Sequence, residues 1–240
     1  MKVRILDAWE MELPEPTDDP WFVDWVARSP KQAGDHLAVS WKTFCALAVH
    51  CGPDAFPTVQ EYFGGIGAHA LMLENLFEPI RHWVNDYSLE AVVHMQRVLP
   101  EEVKVCQADS YNLDASSMAD LQVLDFGDLT VWKAHHDPRH SGLLDHVFHL
   151  KPAAVTITDI AARYLHLQKG VYEPILGDGT CDTYESYLDA FADYMHARFG
   201  YVLLEGNYTR WSCVMAFVPE GTAQRGTFNK AHTMSGLVLV

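Results

Sequence analysis

The segment Thr58-Val-Gln-Glu-Tyr-Phe-Gly-Gly-Ile-Gly-Ala-His69 constrains the fold of this chain more than any other. Its first half is β-branched and aromatic, as strands are. Glycines then interrupt it, and an apolar, helix-forming run follows from Ala70 to Phe77. A strand that turns through glycines into a helix leaves the helix's first backbone N–H groups unpaired and aimed at one crevice. A ligand can approach such a turn closely because no Cβ stands in the way. The segment therefore predicts a site for a nucleoside cofactor, and Glu61 at the strand's end bears on which one.

From Thr58 onward, strand-like and helix-like stretches alternate, which predicts βαβ units and a parallel sheet. Strands are expected at 59–63, 81–85, 103–107, 121–126 and 153–158, and helices at 68–77, 89–98, 142–149 and 184–199. Two further strands, 201–205 and 213–218, are joined by a short polar connection and predict an antiparallel hairpin at the end of the sheet. Before Thr58 the pattern is irregular. Pro14, Pro16 and Pro20 break it, and 21–28 and 40–50 read as short amphipathic helices. Residues 1–57 are thus expected to form an N-terminal helical cap, 58–219 a Rossmann-like domain and 220–240 a tail. Trp21, Trp25 and Trp41 read as packing residues of the cap.

With 240 residues, 49% of them hydrophobic, the chain suits one large α/β domain. No run of about 18 apolar residues occurs, and the first ten residues lack the apolar core of a secretion signal, so a cytoplasmic protein away from membranes is expected. Five cysteines, none in a Cys-x-x-Cys pair, predict free thiols. The formal charge of −15 argues against a general affinity for phosphate backbones. Contact with tRNA or DNA would need a local basic surface. The best candidate is 133–151, with Lys133, His135, His136, Arg139, His140, His146, His149 and Lys151, although a solvated loop and helix face explains it equally well. His135, His136, Asp137 and His140 are metal-ligand types, but their spacing fixes no geometry, so no metal site is assigned.

Gly65-Ile-Gly67-Ala-His-Ala70 fits the G-x-G-x-x-A pattern of dinucleotide sites, which keeps an NAD-dependent oxidoreductase in view. Three acids at strand ends sharpen the reading. Glu61, Asp86 and Asp109 each follow or end a predicted strand, and in a doubly wound sheet such positions converge on one crevice. Asp86 can accept from ribose hydroxyls, Asp109 from an exocyclic adenine amine, and Glu61 can face a cationic amino-acid end directly or through water. So many carboxylates suit a phosphate-free sulfonium nucleoside better than a diphosphate. Helix capping is the plain alternative for Asp86-Tyr87-Ser88 and Asp109-Ser110.

These residues resemble the class I S-adenosylmethionine-dependent methyltransferases over roughly 58–218: the loop Glu61-Tyr-Phe-Gly-Gly-Ile-Gly67, the acids Asp86 and Asp109, and the closing hairpin. The resemblance implies a Rossmann-like, doubly wound, mostly parallel sheet with a C-terminal antiparallel hairpin. It also implies S-adenosylmethionine as cofactor, held by Glu61, Phe63, Gly65, Gly67, Asp86, Tyr87, Asp109 and Ser110. The loop is similar to Asp-Leu-Phe-Ala-Gly-x-Gly-Gly of the DNA cytosine-C5 methyltransferases. Their Pro-Cys nucleophile has no counterpart, because Phe44, His50, Val105, Thr180 and Ser212 precede the five cysteines. Asp125-Phe-Gly127 is similar to Asp-Pro-Phe-Gly of the tRNA guanine-N2 dimethyltransferases, without its proline, and Val155-Thr-Ile-Thr-Asp159 to that family's Val-Thr-Ala-Thr-Asp. That likeness implies an exocyclic nucleobase amine as acceptor, with Asp125 or Asp128 accepting its proton and Phe126 stacking on the base. The charge points instead to a small molecule or a protein. A catalytically inactive member serving in assembly is the rival from another class.

Overall fold

The computed structural model describes residues 2–5, 9–12, 30–111, 118–125, 138–159 and 162–231. Strands β1 (Lys2–Ile5) and β2 (Trp9–Glu12) pair with each other in antiparallel register, Lys2 opposite Glu12. Helix α1 (Pro30–Cys51) follows. The main sheet and its helices are β3 (Thr58–Tyr62), α2 (Ala68–Phe77), β4 (Arg81–Asp86), α3 (Leu89–Val98), β5 (Val103–Gln107), β6 (Leu121–Leu124), α4 (Pro138–His149) and β7 (Ala154–Asp159). A 3-10 turn at Ala162–Tyr164 leads into α5 (Leu165–Leu176), α6 (Tyr184–Phe199), β8 (Tyr201–Tyr208), β9 (Cys213–Pro219) and β10 (Phe228–Lys230).

The eight strands lie in the order β10-β8-β9-β7-β6-β3-β4-β5. β5, β4, β3, β6 and β7 are parallel, while β9 runs antiparallel to both of its neighbours. The winding direction reverses between β3 and β6, so the carboxyl ends of these two strands open the crevice where such sheets bind ligands. Alternation along the strands feeds two cores. Leu121, Val123, Ala216 and Val218 pack with α1 and α2, whereas Leu124, Val155, Ile157, Met215 and Phe217 pack with α4, α5 and α6. Local signals fix the helix ends. Thr183 and Ser186 form a reciprocal capping box at the start of α6, and Gly200 closes that helix at φ 73°.

The division drawn in the sequence does not follow the packing. α1 is one helix of 22 residues, longer than the expected 40–50, and its Leu37, Phe44 and Leu47 share a core with Val59 and Met72. Thr43 ties it to the sheet, donating to the Val214 carbonyl and accepting from Asn207. This helix is therefore a layer of the main domain. Trp41 is half-buried against the same core. The expected helix at 21–28, with Trp21 and Trp25, lies outside the described residues. The segment drawn as a tail contributes β10, which pairs with β8 at the sheet's edge. Among the described residues no helix is long and apolar enough to cross a membrane.

Gly226 makes that edge possible. Its N–H donates to the Leu203 carbonyl at 2.7 Å, and a Cβ at this position would stand 1.7 Å from the Leu204 carbonyl oxygen. Gly226→Ala is expected to push β10 off β8 at a cost of about 1–3 kcal/mol. Hydrogen exchange checks this: the Ala231 amide, bonded to the Tyr208 carbonyl, should lose its protection while the β3 and β6 amides keep theirs.

Candidate active site at the sheet's switch point

The glycine turn is built from within. Phe63 follows β3 at φ 61°, a left-handed conformation costly for a residue with a Cβ, and Gly65 and Gly67 follow at 57° and 77°. The Gly64 amide donates to the Asn85 carbonyl at 3.0 Å. Asp86, only 1% exposed, accepts from the Gly65 amide and from the Ser88 amide, both at 2.9 Å. Beneath the turn, Ser110 accepts from the Phe63 amide and from Asn85 Nδ2, and Asn85 Oδ1 accepts from Gln60 Nε2. The Phe63 ring lies 5.4 Å from that of Tyr111. Asp86 and Ser110, read from the sequence as cofactor contacts, thus also lock the turn that would hold the cofactor. A carboxylate has about four lone-pair sites, so the two amides do not by themselves saturate Asp86.

The three strand-end acids occupy different depths. Asp86 is buried beside the turn. Asp109 is exposed at the rim, where it accepts from the Tyr111 amide, and Tyr87 is exposed as well. Glu61 is 1% exposed, and neither of its oxygens has a hydrogen-bond partner among the described residues. His82 Nε2 lies 4.0 Å away. Burial drives the Glu61 carboxyl well above the usual carboxylate range, and the nearby charges of Asp125 and Asp86 push it further.

Across the switch point, three side chains from separate elements meet. Asp125, the residue after β6, is 20% exposed at its side chain. His36 of α1 places Nε2 3.5 Å from Asp125 Oδ2, and His69, in the first turn of α2, places Nδ1 3.7 Å from the same oxygen. The outer nitrogens are held: His36 Nδ1 pairs with Ser212 Oγ and His69 Nε2 with Ser40 Oγ, each at 2.8 Å. Burial raises the Asp125 carboxyl, but the two imidazoles, His36 more than His69, offset this and hold it well below the usual range. His69 is pushed down to about 4 by burial. Sequence reasoning selected Asp125 but neither histidine. His36 precedes the glycine turn by a whole helix, and only its place in α1 brings it here. Phe126 and Asp128 lie outside the described residues, as do His135, His136 and Asp137. Of the basic stretch, His149 and Lys151 are exposed at the end of α4.

His69 gives a pH dependence. Its native value lies below the ordinary 6.5, so between 6.5 and about 4 the unfolded chain binds the proton that the folded one refuses. The stabilisation is complete above 6.5 and is lost as pH falls towards 4. Denaturation midpoints should fall across that window by an amount worth about 3 kcal/mol, and a His69→Gln variant should lack this slope.

No family model and no curated protein matches the sequence. Solved structures do match the fold. One is the plantazolicin methyltransferase BpumL in complex with a monoazolic desmethylPZN analogue and SAH, at 9% identity over 82% of this chain and 88% of that one, with a TM-score of 0.54. Another is the methyltransferase domain of bacterial CtHen1-C, at 13% identity over 76% of this chain and 98% of that one, with a TM-score of 0.51. The protein therefore has the class I methyltransferase fold.

Proposed function

We propose that the protein is a methyltransferase that binds S-adenosylmethionine across the glycine turn. The observation that carries this reading is the sheet order, which sets the turn, Asp86 and Asp125 along one carboxyl edge at the β3/β6 switch point. The antiparallel β9 between β7 and β8 weighs against an NAD-dependent oxidoreductase, whose mostly parallel sheet usually lacks such a closing hairpin. Tyr87, Asp109 and Ser110 offer a rim for the nucleoside, and Asp86 offers acceptor capacity for ribose hydroxyls. The orphaned oxygens of Glu61 suit a cationic amino group, met directly or through water.

When bound, the cofactor supplies an electrophilic methyl group on sulfur. The chain's task is to align donor and acceptor in a dry site, and the ionised Asp125 can accept a hydrogen bond from the acceptor and orient its lone pair. A nucleobase amine is the acceptor expected from the Asp125-Phe-Gly127 and Val155–Asp159 segments, but Val155, Thr156, Ile157 and Thr158 are all buried in β7. The charge of −15 favours a small-molecule or peptide acceptor. Radiolabelled methyl transfer onto separate RNA, DNA, peptide and metabolite fractions decides between them.

A non-catalytic scaffold is the second reading, favoured by the Asp86 carboxylate already serving two backbone amides. Calorimetry with S-adenosylhomocysteine separates the two readings, since a scaffold gives no heat. Asp86→Ala is expected to weaken that binding by about 1–3 kcal/mol. It should also lower stability by about 2 kcal/mol, because the Gly65 and Ser88 amides lose their acceptor. Unchanged affinity in a folded variant would mean that the crevice is misassigned.

A further inference from the structure

We propose that His36, His69 and Asp125 form a binding site for one divalent first-row transition metal ion. One ligand atom from each lies within 4.8 Å of the other two. The separations from Asp125 Oδ2, 3.5 Å to His36 Nε2 and 3.7 Å to His69 Nδ1, are long for hydrogen bonds. They are near the edge of a tetrahedron with metal–ligand bonds of 2.0–2.1 Å, which is about 3.4 Å.

Proton bookkeeping at His69 points the same way. The Ser40 hydroxyl has a single proton and donates it to the His36 carbonyl at 2.8 Å. It must therefore accept from His69 Nε2, which fixes the N–H on that nitrogen and, in the neutral ring, leaves a lone pair on Nδ1. That lone pair faces a carboxylate oxygen, two acceptors with no proton between them. Nδ1 has no hydrogen-bond partner among the described residues, in a side chain only 3% exposed. A cation between the two acceptors satisfies both.

The surroundings complete the arrangement. Each imidazole is oriented by a hydroxyl on its far nitrogen: His36 by Ser212 and His69 by Ser40. Such outer contacts are how proteins fix the tautomer and aim of metal-binding imidazoles. Two imidazoles and one carboxylate suit Zn²⁺, Co²⁺, Fe²⁺ or Mn²⁺, whereas Mg²⁺ prefers all-oxygen shells. Asp125 and His36 keep 20% and 16% of their side chains exposed, so the remaining coordination positions face the crevice. A place for the ion beside the methyl acceptor rests on the methyltransferase reading, but the binding itself does not.

The test titrates Co²⁺ into the metal-stripped full chain, followed by its visible absorption, with Zn²⁺ as competitor and Mg²⁺ as control. One equivalent of Co²⁺ is expected to bind, to be displaced by Zn²⁺ and to ignore Mg²⁺. Asp125→Asn and His36→Gln, each checked for native circular dichroism, should lower Co²⁺ affinity at least 100-fold. Ser40→Ala, which touches no metal, should lower it about 10–100-fold. Absence of Co²⁺ uptake, or uptake that survives both Asp125→Asn and His36→Gln, overturns the site. S-adenosylhomocysteine binding, measured on the same stripped protein, separates the two ideas. Cofactor binding without Co²⁺ uptake sinks only the metal site, and Co²⁺ uptake without cofactor binding sinks only the methyltransferase reading.

Discussion

Gly64→Ala is expected to destabilise the protein by about 3 kcal/mol and to abolish S-adenosylhomocysteine binding, although the substitution adds one methyl group. Gly64 is not at a positive φ, unlike Gly65 and Gly67, so its backbone conformation suits any residue. The obstacle is steric: a Cβ would stand 2.2 Å from Val84 Cγ1 and 2.9 Å from Met95 Sδ. Val84 is fully buried in β4 and its branched side chain cannot swing aside, so the turn itself must move. Moving the turn breaks the bond between the Gly65 amide and Asp86. A double-mutant cycle checks the cause. Val84→Ala alone should cost about 2 kcal/mol through the cavity it leaves, yet Gly64→Ala combined with it should be less destabilised than the two costs added. Strict additivity in denaturation measurements would rule out the clash.

The same crowding explains what was legible in the sequence. The turn 63–67 announces itself because glycine is forced by two separate demands, close packing at Gly64 and positive φ at Gly65 and Gly67. The strands from β3 to β9 are equally plain, since each is a short stretch with β-branched or aromatic residues bounded by turn residues. What escaped has physical reasons. α5 contains Gly170 and Pro174 and buries only Leu165 and Tyr172, which leaves almost no helical periodicity to read. α1 was cut short because Gly34 and Asp35 weaken its first half as a helical pattern, and its packing against β8 and β9 supplies what propensity does not. β10 has three residues held at an edge by long-range pairing. All three acids end or follow a strand, and nothing in their spacing ranks their depth. Residue type carries no depth, and the structure sorts them into a rim at Asp109, a brace at Asp86 and a buried Glu61 with no hydrogen-bond partner among the described residues. His36 and His69 meet Asp125 only through tertiary packing, for which no spacing rule exists.

Glu61→Gln is expected to make the protein more stable at neutral pH, by about 1–3 kcal/mol, while weakening its hold on the cofactor. The carboxyl is buried, with Asp86 and Asp125 as its charged neighbours, and burial followed by their repulsion raises its native pKa well above the ordinary 4.5. At pH values between 4.5 and that raised value the folded chain holds a proton that the unfolded chain has released. Stability from this group is therefore greatest below 4.5 and declines as pH rises towards the native value. His82 is the buried neighbour that faces this carboxyl. Its Nδ1 pairs with Glu74 Oε1 at 2.7 Å, so in the neutral ring Nδ1 donates and Nε2, 4.0 Å from Glu61 Oε2, is an acceptor facing an acid. A glutamine amide at position 61 offers that nitrogen a donor and carries no charge to bury. Denaturation curves for the two proteins should converge as pH falls to 4.5 and separate as it rises, with the variant above. A variant less stable at neutral pH would mean that the Glu61 carboxylate is well paired in the folded protein, and a variant that binds S-adenosylmethionine as tightly as the parent would remove Glu61 from the cationic end of the site.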